Sequence, residues 1–301
     1  MSRLSIALLI LATAIAGAQQ ERGRPVVLIV HGRGMLDRDT AATRKMWSSA
    51  LVQAVRTFAP GSPITDRDVR AVWYADVLDP RSTRGCDYAP SDPRARRERA
   101  DDQQLKGFVG VIGSVLGALT SIASDSESGS EIRSLAADAS FLSDGRKRCA
   151  AESRLAVELD RARQEGRPVI VVAHSLGSLV AYDYLSSRSD SAVVRRLITV
   201  GSPIGSPEMR RFLIGGDSTD VLAWPSSVSD WVNIRNESDP FATPLSIGRD
   251  LVVRFPADEP DQHELVGYLR GTVTVREVLG GWCTAFSASG RPAACRDTIL
   301  K

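Results

Sequence analysis

Runs of consecutive apolar residues alternate with amphipathic stretches along most of this chain. Val26 to Val30 and Val169 to Ala173 are unbroken apolar runs, as expected for strands that are covered on both faces. Helical patterns lie at residues 41–58 and from about 152 to 165. Shorter apolar runs predict further strands at residues 69–74, 197–200, 231–234 and 251–255. The alternation predicts an α/β fold with a mostly parallel central sheet and helices on both of its faces.

One long segment, residues 79–150, interrupts this alternation. It opens with a Pro-containing loop, continues with a Gly-punctuated apolar run from Leu105 to Ala123, and then passes into a loop rich in Ser, Asp and Glu. A soluble protein rarely leaves so long an apolar segment exposed. We interpret residues 79–150 as a cap-like insertion into a single domain that spans residues 19–301. Two interpretations of the apolar run stay open, a lid over a functional cleft and a helix buried beneath the insertion.

The first eighteen residues have the features of a secretory signal peptide. Arg3 supplies the positive charge, Leu4 to Ala16 form the apolar core, and Ala16, Gly17 and Ala18 resemble a cleavage pattern. The apolar run is shorter than the roughly 20 residues that span a bilayer, although an uncleaved anchor remains an alternative. We therefore expect a secreted or periplasmic protein.

Charge and cysteine content narrow the class further. The formal net charge of +2 argues against bulk attraction to nucleic acid, so no nucleic-acid partner is expected. An even number of cysteines in an exported chain favours disulfides. Of the three possible pairings we predict Cys86–Cys149 and Cys283–Cys295, with buried free thiols as the alternative. The chain has no CxxC pair and only three histidines, so no metal site is predicted.

The strongest chemical signal is the segment Ala173-His174-Ser175-Leu176-Gly177. It follows a predicted buried strand and precedes a helical stretch at residues 178–187, which is the strand–turn–helix context of a nucleophile elbow. Small residues are needed two positions either side of the serine because the turn is crowded. Gly177 meets this need, and Ala173 stands where Gly is commoner. We predict that Ser175 is a nucleophile.

A nucleophilic serine needs a general base, which in turn needs an orienting acid. In this strand–turn–helix arrangement the partners follow in the order Ser, acid, His, and His263 alone among the histidines lies after Ser175. The acid is expected on the loop after the strand at residues 231–234, and Asp239 is our choice. Glu237 and Asp220 remain alternatives. Chain order therefore predicts a triad of Ser175, His263 and Asp239.

Two backbone N–H groups are needed to stabilise a developing oxyanion. Leu176, directly after the nucleophile, is expected to provide one of them. The other is expected from the His31-Gly32-Arg33-Gly34 loop after the first strand, with Arg33 preferred over Gly34. We interpret His31 as a structural residue that holds this loop.

These motifs, together with Gly201-Ser202-Pro203, the NESDPF loop and the DQH segment, resemble the lipase-like α/β hydrolases. Within that superfamily the chain is most similar to the GPI-inositol-deacylase-like serine esterases, over roughly residues 25–75 and 150–280. The resemblance implies an α/β-hydrolase fold with an eight-stranded type of sheet, ester hydrolysis and no cofactor. The insertion and the Cys-bearing tail lie where substrate choice would be set, so the resemblance does not indicate a substrate.

The sequence thus predicts an exported serine hydrolase that cleaves carboxylic esters, of the esterase or lipase type. Its expected partner is an ester substrate, with a lipid or a membrane surface as one form of it. Two alternatives stay open because a triad does not encode the leaving group. The first is an amidase, peptidase or thioesterase that uses the same three residues. The second is an inactive hydrolase-fold binding protein.

Overall fold

A computed structural model describes residues 23–89, 92, 94, 139–188, 194–214, 222–259, 261–286 and 295. Three sequence-based predictions lie outside these residues: the signal peptide at 1–18, the apolar run Leu105–Ala123, and the alternative acid Asp220. The predicted cap-like insertion is described only at its two ends, residues 79–89 and 139–150, together with residues 92 and 94. No helix among the described residues is long and apolar enough to cross a membrane.

A single parallel sheet forms the centre of the described structure. Its strands are β1 (Val26–Val30), β2 (Val69–Val72), β3 (Val169–His174), β4 (Val194–Val200), β5 (Trp231–Asn236) and β6 (Arg249–Val253). They lie in the order β2-β1-β3-β4-β5-β6, and every neighbouring pair is parallel. With helices on both faces this is an α/β-hydrolase fold, and the predicted fold class is confirmed. The described part of the sheet has six strands, whereas the resemblance implied an eight-stranded type.

Helices cover the sheet from both sides. They are α1 (Thr40–Phe58), α2 (Ala75–Leu78), α3 (Gly145–Gln164), α4 (Leu176–Ser186), α5 (Pro207–Ile214), α6 (Leu265–Arg270) and α7 (Thr272–Thr284). Alternate side chains of β1 enter different cores because successive residues of a strand point to opposite faces. Leu28 packs with residues of α3 and α4, whereas Ile29 packs with residues of α1, α6 and α7. All five β1 residues are buried, which explains the unbroken apolar run in the sequence.

The helix α3 begins earlier than the sequence pattern indicated. It starts at Gly145, inside the predicted insertion, because the Asp144 side chain accepts hydrogen bonds from the N–H groups of Arg146 and Lys147. Its end agrees with the prediction, since Gly166 has a φ of +67° and follows the last turn as a left-handed cap. Other boundaries differ by a few residues: β2 ends at Val72, α4 begins at Leu176, and β4 begins at Val194.

Both predicted disulfides are present. Cys86–Cys149 has a Cα–Cα distance of 5.5 Å and joins the first part of the insertion to α3. Cys283–Cys295 has a Cα–Cα distance of 5.3 Å and joins α7 to the C-terminal tail. Each bridge therefore attaches one segment to a core helix. These segments, the predicted insertion and the C-terminal tail, are the two in which the chain differs from the family that it resembles.

Candidate active site

The parallel sheet places the ends of β1, β3 and β5 along one edge, and the candidate residues lie there. Ser175 follows β3 directly and has φ = 51° and ψ = −124°. Ser175 is the one non-glycine with a positive φ among the described residues, a strained conformation that clusters at active sites. A Cβ on Gly177 would lie 2.3 Å from the carbonyl oxygen of His31. This close approach explains why the elbow requires glycine at that position.

His263 lies next to Ser175 although 88 residues separate them in sequence. Its Nε2 accepts a hydrogen bond from Ser175 Oγ at 2.8 Å. The loop that carries His263 comes just before α6, and Asp261 Oδ1 accepts the backbone N–H of His263 at 2.9 Å. The imidazole is therefore oriented to take the serine proton, as a general base must be.

Asp239 completes the hydrogen-bonded chain. Its Oδ2 accepts His263 Nδ1–H at 2.8 Å, and its side chain is fully buried. A bond from the Phe241 N–H to Asp239 Oδ1, at 2.9 Å, holds the carboxylate in the loop after β5. The alternative acid Glu237 is exposed and pairs with Arg254 instead. The geometry thus favours Asp239 over Glu237 as the partner of His263.

The loop after β1 packs closely against Ser175. A Cβ on Gly32 would lie 2.9 Å from Ser175 Cβ and 2.6 Å from His174 Nδ1, so only glycine permits this approach. Arg33 follows directly, and Gly34 has a φ of +78°. Leu176 is the first residue of α4, and the N–H groups of a first helical turn have no acceptor within the helix. Of the two predicted oxyanion donors, Leu176 directly follows Ser175 in the chain, and Arg33 directly follows Gly32, the residue that packs against Ser175.

His31 is a buried residue that holds this loop. Its Nδ1–H donates to the Gly32 carbonyl at 2.6 Å, its Nε2 accepts the Tyr74 N–H at 3.1 Å, and its ring stacks on Tyr74. The pKa of His31 is lowered to about 4, chiefly by burial and in smaller part by the Arg44 charge, while the hydrogen bond to Gly32 opposes the shift. Both ring nitrogens are thus occupied by loop contacts, which agrees with the predicted structural role.

His174 has a role that the sequence analysis missed. Its Nε2–H donates to the backbone carbonyl of His263 at 2.7 Å, and the two rings lie 4.7 Å apart. Burial holds the pKa of His174 well below its usual value, and the charges of His263 and Arg33 act in the same direction. A neutral His174 therefore anchors the loop of the candidate base. Its position next to Ser175 was visible in the sequence, but its partner was not.

Tyr268 and Asn236 support the acid in a similar way. The Tyr268 hydroxyl donates to Asp239 Oδ2 at 2.7 Å and accepts the Asn236 N–H at 2.9 Å. Burial raises the pKa of Tyr268, and the Asp239 charge adds to this effect, so the hydroxyl stays protonated as a donor. The Asn236 side chain donates to the Gln262 carbonyl at 2.9 Å. These contacts tie β5 to the loop before α6. Asn236 opens the NESDPF motif, but the sequence analysis assigned no role to it, and no motif marked Tyr268.

Comparison with known proteins gives one family match. The family described as Lecithin:cholesterol acyltransferase matches residues 151–242, a range that contains Ser175 and Asp239 and stops before His263. No curated protein matches the chain. The match relates this chain to an α/β-hydrolase type of lipid acyltransferase or esterase family, and it supports hydrolase-like or lipase-like enzyme activity in general terms.

Proposed function

We propose that this protein is an exported serine hydrolase that cleaves carboxylic esters through Ser175, His263 and Asp239. The observation that carries the proposal is the continuous hydrogen-bonded chain from Ser175 Oγ through His263 to Asp239, with 2.8 Å at both steps. The elbow motif and chain order had pointed to Ser175 and His263, and they had preferred Asp239 among three candidate acids. Two independent lines, sequence order and tertiary contact, therefore support one assignment.

The reaction follows from this geometry. Ser175 Oγ attacks the ester carbonyl while His263 Nε2 takes the serine proton. The negative charge that develops on the carbonyl oxygen is stabilised by the backbone N–H groups of Leu176 and Arg33. His263 then protonates the leaving alcohol, and a water molecule that His263 deprotonates releases the acyl group as a carboxylic acid. Asp239 keeps the proton of His263 on Nδ1 and stabilises the imidazolium that forms.

The acyl-enzyme has a second possible acceptor. The name of the matched family describes acyl transfer from lecithin to cholesterol, and an alcohol can replace water at the deacylation step of a serine acyl-enzyme. This match favours lipid esters over amides as substrates, with transfer to an alcohol as the second candidate activity. The GPI-inositol-deacylase-like subgroup remains a hypothesis from the sequence motifs.

Export is part of the proposal and rests on two features. The N-terminal eighteen residues have signal-peptide character. The two disulfides are compatible with a secreted or periplasmic protein because such bonds persist in oxidising compartments.

Labelling with a fluorophosphonate probe tests the proposal directly, since the probe reacts with activated serines. Ser175→Ala is expected to abolish both the labelling and the hydrolysis of p-nitrophenyl esters. Ser186→Ala is the matched control, because Ser186 lies on the same helix and is exposed, and it should keep full activity. A folded Ser175→Ala protein that retains esterase activity would refute the serine-hydrolase mechanism.

A further inference from the structure

The side chain of Arg33 lies at the candidate active site in addition to its backbone N–H. Its guanidinium carbon is 5.1 Å from the centroid of the Phe241 ring. Phe241 in turn packs on His263, with ring centroids 4.7 Å apart. One aromatic ring therefore separates a permanent positive charge from the imidazole of the candidate base.

Within the described ranges, Arg33 has no salt bridge and no side-chain hydrogen bond, and its contact is the Phe241 ring. Two other arginines, one on β5 and one just after β6, differ in this respect. Arg235 pairs with Asp250 at 2.9 Å, and Arg254 pairs with Glu237. The carboxylate of the candidate site, Asp239, is already occupied by His263 and Tyr268. The guanidinium thus retains its full set of donors next to the site.

The packing on Phe241 orients this charge. A cation over an aromatic face is held electrostatically, so the planar guanidinium is positioned before a ligand arrives. The charge acts at the site as well, since it contributes to lowering the pKa of the buried His174 imidazole. Guanidinium groups bind carboxylate and phosphate through paired hydrogen bonds. An anion is therefore the ligand that fits this side chain.

We propose that the Arg33 guanidinium forms an anion subsite, and that the substrate carries a carboxylate or phosphate close to its scissile ester. This inference rests on the proposed ester hydrolysis at Ser175 and adds the chemical class of the substrate. Arg33 then contributes two separate groups, the backbone N–H to the oxyanion and the side chain to the fixed anion of the substrate.

The test compares matched ester pairs. One pair places a carboxylate on the acyl side, p-nitrophenyl hemiglutarate against p-nitrophenyl valerate. The other places a phosphate on the alcohol side, butyryl-glycerol phosphate against monobutyrin. The measured quantity is the ratio of kcat/KM for the anionic ester to that for the neutral ester, so a general loss of rate cancels. Arg33→Gln removes the charge and keeps the backbone N–H, whereas Arg33→Lys keeps the charge without the paired donors.

The wild type is expected to prefer the anionic member of one pair, which identifies the source of the anion. Arg33→Gln should lower that ratio by about ten-fold or more, as expected for loss of a hydrogen bond to a charged group, and Arg33→Lys should lower it less. Arg38→Gln, an exposed arginine of the same loop, is the matched control and should leave the ratio unchanged.

The two proposals fail in different ways. If Ser175 reacts with fluorophosphonate but the ratio is the same in wild type and Arg33→Gln for both pairs, the anion subsite is refuted and the serine hydrolase stands. Equal rates of the wild type on both members of each pair refute the subsite as well. If the wild type is not labelled and cleaves none of the four esters, the hydrolase proposal fails and the subsite with it.

Discussion

Acid should destabilise this protein through His31, and the structure allows the size of the effect to be worked out. The pKa of His31 falls from an ordinary 6.5 to about 4 in the folded state, mainly through burial. Between pH 6.5 and about pH 4 this histidine is protonated in the unfolded chain but stays neutral in the folded chain. The free energy of unfolding therefore decreases as the pH falls. The loss begins near pH 6.5 and is complete below about pH 4. One pKa unit corresponds to roughly 1.4 kcal/mol, which gives about 3 kcal/mol in all.

His31→Gln isolates this contribution. The amide of glutamine can donate to the Gly32 carbonyl and accept from the Tyr74 N–H as His31 does, but it does not titrate. Urea unfolding at pH 6.5 and pH 4.5, followed by tryptophan fluorescence, gives the free energy of unfolding for both proteins at both pH values. The variant loses packing against Tyr74 and Trp73, and this loss cancels when each protein is compared with itself.

The wild type should lose about 2 to 3 kcal/mol more than His31→Gln between the two pH values. Other groups that titrate in this range are present in both proteins, so their contributions largely cancel in the comparison; His174 differs only by the minor effect of His31 on its pKa, which is lowered mainly by burial. An equal loss of stability in the two proteins would refute the assignment of a strongly depressed pKa to His31. It would also remove the argument that this histidine stays neutral while it holds the loop beside Ser175.

Three further predictions concern the triad, its support and the tail. His263→Ala should lower kcat by about 10⁶-fold and Asp239→Asn by about 10⁴-fold, because loss of the acid leaves part of the machinery intact; a nearly silent His263→Ala would refute the chain-order assignment. His174→Phe removes the 2.7 Å hydrogen bond to the His263 carbonyl and should lower kcat by about 10²-fold because the base is misplaced, while KM changes little. A change in KM alone would contradict this positioning role. Replacing Cys283 and Cys295 by serine opens a bridge across 12 positions and should lower the free energy of unfolding, measured in urea, by about 3 kcal/mol; unchanged stability would contradict the bridge.

Much of the fold could be predicted from local patterns in the sequence. Strands β1 and β3 are continuous apolar runs because both of their faces are buried, and this signal is contained in a few consecutive residues. The strain of the elbow is equally local because it lies in the backbone of Ser175, whereas the crowding at Gly177 comes from the distant His31 carbonyl. The end of α3 was marked by Gly166, whereas its beginning at Gly145 depends on the cap by Asp144 within a polar stretch that carried no clear periodicity.

The candidate site shows where such patterns stop being informative. Elimination among three histidines selected His263, and chain order selected the loop that contains Asp239. Choosing Asp239 over Glu237 on firm grounds required the structure, because the two carboxylates are two residues apart and differ only in what surrounds them. Asp239 is buried against Tyr268 and His263, while Glu237 faces solvent beside Arg254.

By itself, then, the sequence determined the alternation of strands and helices, the position of the candidate nucleophile in its turn, and the order of the candidate acid and base after it. These features depend on periodicity and on backbone constraints that act within a few residues. Only the tertiary structure decided the strand order, the anchoring of His263 by His174, and the position of the Arg33 guanidinium over Phe241. Each of these depends on hydrogen bonds or ring contacts between segments far apart in the chain, such as the 89 residues between His174 and His263. Such contacts exist only after the strands have aligned their carboxyl ends along one edge of the sheet.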